Sequence, residues 1–91
     1  MKIPSFEWDT ANAGHIAERH GLSEEDVEEI FYNFPAIRKV RGGRLVAYGQ
    51  IDSGRYLTVI FHLKPGGLVR VVTARDSNQW ERRYYQQARR D

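Results

Sequence analysis

The spacing of apolar residues changes twice along this chain, at Pro35 and again at Ser77, and few folds accommodate that pattern. Before Pro35 the period is helical. Asp9 is placed to cap a helix running to about His20, with Ala13, Ile16, Ala17 and His20 on one stripe and Gly21 as its stop. Ser23 opens a second helix, and Asp26 stands three residues on, where a capping box carries Glu or Gln. Val27, Ile30, Phe31 and Phe34 form its apolar stripe, and Pro35 ends it. Lys2–Trp8, ahead of both helices, reads as a short strand that Pro4 confines to a sheet edge.

Between Pro35 and Ser77 the period is two, so this stretch predicts strands at Ala36–Val40, Leu45–Ile51, Tyr56–Lys64 and Leu68–Ala74. Gly42-Gly43, Ser53-Gly54 and Pro65-Gly66-Gly67 are the turns between them, which makes consecutive strands antiparallel neighbours. Val59, Phe61 and Leu63 alternate with Thr58, Ile60 and His62, giving an apolar face for the helices to cover and a mixed face. Ser77 then caps a last helix, from about Asn78 to Arg90, with Trp80, Tyr84 and Ala88 toward the sheet. The expected class is α+β: an antiparallel meander sheet with two N-terminal helices and a C-terminal helix.

With 91 residues, 41% of them apolar, the chain suits a single domain over residues 1–91. A chain this short buries only roughly 60–65% of its unfolded surface, so a partner adds usefully to its stability. The absence of cysteine excludes disulfides, thiolate metal ligands and cysteine nucleophiles. No stretch approaches the ~20 apolar residues of a membrane span, and the N-terminus lacks the apolar run of a secretory signal. The expected location is the cytoplasm.

Charge is divided unevenly. Met1–Ile37 holds two basic and eight acidic residues, a net −6; Arg38–Asp91 holds twelve basic residues, ten of them arginine, and four acidic ones, a net +8. Arginine offers a planar fork suited to phosphate oxygens, so the second half is equipped to meet a polyanion. Mutual neutralisation of the halves, within the fold or between copies, is the alternative.

The densest chemistry lies in Val71–Arg90. Arg75 sits at the hinge between strand and helix, and Glu81, Tyr85 and Arg89 share a helix face adjoined by Arg82. A carboxylate, a phenol and several guanidinium groups are what RNA cleavage without a metal requires: a base for the 2′-hydroxyl proton, an acid for the leaving oxygen and cations for the charged phosphorane. Each has a structural alternative: Glu81 can simply pair with Arg82 or Arg89, Tyr85 can be a core residue, and Arg75 can bridge to Asp76 or Asp52. His62 and Arg70 lie in strands, at a groove or at the rim of the core. His15 and His20 are not at the i, i+4 spacing of a helical metal pair, and no third ligand is indicated. Neither a nucleotide-cradling glycine motif nor a serine nucleophile elbow is present. No cofactor or metal is expected.

Taken in order, FEWD at Phe6–Asp9, an asparagine-bearing helix ending at His20-Gly21, the helix SEEDVEEIF, TAR at Thr73–Arg75, Glu81-Arg82 and Tyr85 resemble the BrnT family of small bacterial toxins, whose fold is similar to that of RelE-type ribonucleases. The resemblance covers nearly the whole chain. It departs in the sheet region Arg38–Lys64, where little matches residue by residue, and at Trp80, where the family commonly has a polar or basic residue. It implies a type II toxin that cleaves RNA and blocks translation. It further implies a ribbon-helix-helix antitoxin encoded beside it, with DNA reached only through that partner and oligomers formed only with it. Carried over by position, Arg75, Glu81, Arg82 and Tyr85 are the motif residues; Arg44, Arg55, His62, Arg70 and Arg89 are added from charge and placement. Arg75 and Arg82 would hold the phosphate, Glu81 or His62 would act as base, and Tyr85, with an ordinary pKa of ~10, would donate a proton. A catalytically silent module binding RNA or an acidic partner segment uses the same groups, as does a purely structural antitoxin partner.

Overall fold

The computed structural model describes residues 5–90. Its elements are β1 (Ser5–Glu7), α1 (Thr10–His20), α2 (Glu24–Tyr32), β2 (Ala36–Lys39), β3 (Leu45–Gln50), β4 (Tyr56–Lys64), β5 (Leu68–Asp76) and α3 (Gln79–Arg90). The first helices begin and end where their local chemistry directs. The Asp9 carboxylate accepts the backbone N–H of Asn12 at 2.7 Å, and Gly21 closes α1 in the left-handed region at φ 62°. Ser23 and Asp26 form a reciprocal capping box, so the shorter acid serves as well as Glu.

One sheet of order β1-β5-β4-β3-β2 organises the molecule. The meander β2-β3-β4-β5 is antiparallel as expected, but β1 runs parallel beside β5, so the sheet is mixed rather than purely antiparallel. Glycine turns dictate pairing only between consecutive strands. β1 reaches β5 through a long crossover that no turn signal records. Lys2 and Pro4, in the expected first strand, lie outside the described residues.

The two sheet faces carry different layers. Ala47, Leu57, Val59, Phe61, Val69 and Val71 point to the face covered by α1 and α2, where Ile16, Leu22, Val27 and Ile30 complete the main core. Gly49 admits α2 at close range: a Cβ there would come within 2.8 Å of Ile30 Cβ. The mixed face, with Val46, Tyr48, Tyr56 and Ile60, packs against α3. The helices therefore divide between the faces.

A β-bulge in β5 alters what that strand presents. Ile60 pairs with Thr73 but Phe61 pairs with Val71, leaving Val72 as the extra residue. Val69, Val71 and Ala74 thus share the buried face although 71 and 74 differ in parity. Without the bulge Arg75 would follow Val69 and Val71 into the main core; with it, Arg75 emerges beside α3. Asn12 of α1 donates from its side-chain amide to the Val71 carbonyl at 2.8 Å, at the bulge itself.

Candidate functional site

Arg75 and Glu81 form the centre of the α3 face. Arg75 Nη1 and Nη2 donate to Glu81 Oε1 and Oε2 at 2.7 and 2.8 Å, a bidentate pair. Glu81 also accepts the Asn78 N–H at 2.9 Å, while the Asn78 side chain accepts the Glu81 N–H at 3.0 Å. Asn78, not Ser77, is consequently the cap of α3, in a second reciprocal box. Ser77 is buried, with its hydroxyl 2.8 Å from that of Thr58. Burial of Glu81 opposes ionisation, but the Arg75 guanidinium and the Asn78 N–H outweigh it and hold the carboxyl below its ordinary pKa.

These contacts set the rotation of α3. Glu81 and Tyr85 face the sheet and are only 2% and 3% exposed, whereas Trp80, expected to face inward, lies at the flank with 49% of its surface in solvent. Ala88, also expected inward, is exposed, and Tyr84 is half-buried. An apolar stripe alone would have placed Trp80 inward; the capping box and the ion pair fix a different phase.

Beside this pair lies an aromatic cluster. Tyr48 of β3 meets Trp80 and Tyr84 at ring separations of 5.9 and 5.1 Å. The Arg38 guanidinium from β2 stands 5.6 Å from the Trp80 ring and 5.8 Å from that of Tyr84. Burial pushes the Tyr48 hydroxyl above its ordinary pKa, so it stays protonated at neutral pH. Arg38 and Tyr48 were not among the residues expected at the site. Parity had the signal: with Ala36 paired to Tyr48 and Arg38 to Val46, both point to the same face as Thr58.

The other nominated residues are dispersed. Tyr85 accepts a hydrogen bond from Arg89 Nη1 at 2.7 Å, and Arg89 also donates to the Asn33 carbonyl at 3.1 Å. These two residues line a separate cleft of about 570 Å³ with Asn33, Gln50 and Asp52. Arg82 lies over the Tyr56 ring at 5.4 Å. His62 pairs with Arg70, four residues along β4 from Thr58, the partner of Arg75, which is roughly 13 Å at the rise of a strand. Arg44 lies on the β2–β3 hairpin, and both it and the hairpin's Arg41 are exposed.

Arg55 and Arg70 are occupied as structural clamps. Arg55 pairs with both Asp76 carboxylate oxygens, at 2.7 and 3.0 Å, and donates to the His20 and Gly21 carbonyls, tying α1 to β5. Arg70 bridges Glu7 at 2.7 Å and Asp9 at 2.9 Å, and Lys64 joins Glu7 at 2.9 Å. Expecting these two arginines to be free for RNA on charge alone overlooks carboxylates brought in by β1 and by the end of β5. Arg38, Arg41, Arg44, Arg82 and Arg83, by contrast, make no ion pair among the described residues. Charge neutralisation within the fold is therefore partial.

A mixed sheet with an acidic helical layer on one face, and with α3, an arginine–carboxylate pair and an aromatic cluster on the other, defines a small α+β domain. Residues 8–81 match the family described as the ribonuclease toxin BrnT of type II toxin-antitoxin systems, and the chain belongs to that family. The matched segment contains Arg38, Tyr48, Arg75, Trp80 and Glu81 and stops short of Arg82, Tyr85 and Arg89. Family membership implies an antitoxin partner and an RNA target. The crystal structure of the Brucella abortus ribonuclease toxin BrnT is similar in fold, with a TM-score of 0.69 at 22% identity over 84% of this chain and 99% of that one. Comparison with curated proteins returned no match.

Proposed function

We propose that this chain is an endoribonuclease that cleaves RNA on the α3 face without a metal ion and thereby blocks translation in the cytoplasm. The observation that carries this reading is the Arg75–Glu81 pair. Glu81 fixes the guanidinium from below while 39% of the Arg75 side chain stays open to solvent. A preorganised, permanently charged fork of this kind stabilises a phosphorane more than a ground-state phosphate. In the reaction, the 2′-oxygen attacks the adjacent phosphorus and the bond to the 5′-oxygen breaks. The 2′-oxygen gives up a proton and the 5′-oxygen gains one, leaving a 2′,3′-cyclic phosphate and a 5′-hydroxyl.

Glu81 acts here as a positioning residue rather than as the base, because both its oxygens are occupied and its pKa is lowered. His62, roughly 13 Å along β4 from the strand partner of Arg75, and Tyr85, whose hydroxyl is held by Arg89 at the separate cleft, do not reach a phosphate at Arg75, so neither carries the proton transfer; the exposed Arg82 and Arg44 are the further phosphate contacts of this reading. The RelE-type fold belongs to the same reading, supported by the four-stranded antiparallel portion β2–β5 packed on α3. So does a ribbon-helix-helix antitoxin through which the complex reaches DNA; sequencing the adjoining gene tests that element directly.

One observation favours a second reading. Both Glu81 oxygens already accept hydrogen bonds, from Arg75 and the Asn78 N–H, so the carboxylate beside Arg75 is engaged rather than poised as a base, which suits a catalytically silent RNA- or antitoxin-binding module. Incubating antitoxin-free protein with RNA in EDTA decides between them. Fragments ending in 2′,3′-cyclic phosphate support the nuclease. Cleavage only with added magnesium rules out the metal-free route, and intact RNA both free and on ribosomes gives the field to the binding module.

A further inference from the structure

We infer that Trp80 is a stacking platform for an unpaired RNA base, so that the strand lying at Arg75 is single-stranded there; this rests on the RNA-facing reading above. Three features of the indole point to it. Trp80 touches Tyr48 and Tyr84 and has Arg38 over its ring, yet 49% of its surface is in solvent, an unusual exposure for a side chain with so many packing partners at hand. Tyr48, against which Trp80 packs, pairs with Thr58, which pairs with Arg75, so the Arg75 guanidinium rises from the same sheet face two strands, roughly 10 Å, from Tyr48, within reach of a phosphate of the stacked nucleotide. Arg38 makes no ion pair among the described residues, so its charge is available to the next phosphate. An aromatic plane with the Arg38 guanidinium over it, and Arg75 farther along the same sheet face, suits a base with its phosphates. A neutral apolar partner would leave those charges unmatched. A duplex hides its base faces, so only an unpaired base uses the platform.

The second tryptophan makes this measurable. Trp8 is tied to Glu28 at 2.7 Å and packs against the main core, on the side of the sheet away from Trp80. Full-length protein is titrated with a 2′-O-methyl single strand, which has no free 2′-hydroxyl to attack, and with its duplex, while tryptophan emission is followed. Expected are quenching by the single strand and little by the duplex, loss of the quench in Trp80→Phe and Trp80→Ala, and an affinity lower by about 5- to 150-fold in Trp80→Ala. Circular dichroism confirms that each variant folds, and Trp80→Phe guards against misfolding of the alanine variant. Unchanged affinity in Trp80→Ala, or equal quenching by duplex, overturns the inference even if RNA is still cut. Quenching by the single strand without cleavage of unmodified RNA upholds it while the nuclease reading fails. A Trp80 response to an antitoxin protein but to no RNA overturns it in favour of a protein-docking surface.

Discussion

At the scale of single residues, the chemistry turns on how Arg75 is held. Arg75→Ala is expected to slow cleavage by roughly a hundred- to a thousandfold, the cost of one preorganised donor at about 2.7–4 kcal/mol, with a smaller loss of RNA affinity. Arg75→Lys recovers little, because an ammonium cannot make the bidentate contact with Glu81 or present the remaining donors in a plane. Single-turnover rates and binding isotherms on the same variants separate the two effects; equal cleavage by Arg75→Ala removes the site. Glu81→Gln loses an ion pair and weakens the α3 cap together, for about 1–3 kcal/mol of stability. Its pH signature has a definite sign. The folded-state pKa of Glu81 is lowered, so its contribution is complete above the unfolded value near ~4.3 and is lost as pH falls through the folded one. Wild type should therefore lose more stability than Glu81→Gln between pH 6 and pH 3 in urea melts.

The elements matter through the joints between them, and the β5 bulge is the joint on which the site depends. Asn12 bonds the carbonyl of Val71 across 59 positions of sequence, and the bulge there turns Arg75 from the core to the α3 face. Asn12→Ala is expected to cost about 1–2 kcal/mol and to lower cleavage although the residue is on the opposite side of the sheet. If activity per folded molecule is unchanged, the bulge does not need this support. Asn12→Asp leaves no N–H to donate and is expected to behave like alanine. Gly49 is the corresponding joint between β3 and α2. With Ile30 Cβ 2.8 Å from a new methyl, Gly49→Ala should destabilise by roughly 1–3 kcal/mol, measured by thermal melting.

For the whole molecule, charge layout decides which arginines serve folding and which serve binding. Arg55 and Arg70 pair with acids and hold layers together, so Arg55→Ala and Arg70→Ala should lower the melting temperature more than they weaken RNA binding. Arg38→Ala, Arg44→Ala and Arg82→Ala should do the reverse. Each phosphate contact released lowers the slope of log affinity against log salt by roughly 0.7 for a single strand, so these three variants should also bind with shallower salt dependence than wild type. A salt-independent affinity in wild type would mean that the cationic face meets something other than a polyanion.

The two changes of hydrophobic period, the caps at Asp9 and Ser23 and the glycine turns were sufficient to establish two helices, a four-strand meander and a last helix, because each depends on neighbours within a few residues. The segment carrying Arg75 and Glu81 stood out for the same reason, but their pairing did not: the sequence offered Arg82 or Arg89 to Glu81 and Asp76 or Asp52 to Arg75, and the fold joined the two across the β5–α3 turn. What β1 pairs with, which face α3 covers and which way Arg75 points were decided only in three dimensions. A parallel crossover leaves no turn signature, and one extra residue in β5 inverts the parity from which its faces would be read. The same limit hid Arg38 and Tyr48, placed beside Trp80 by strand pairing, and made Arg55 and Arg70 look free until the fold brought Asp76, Glu7 and Asp9 within 3 Å of them. Local propensity and capping act along the chain and can be read from it, whereas the partner of a charge is chosen by packing.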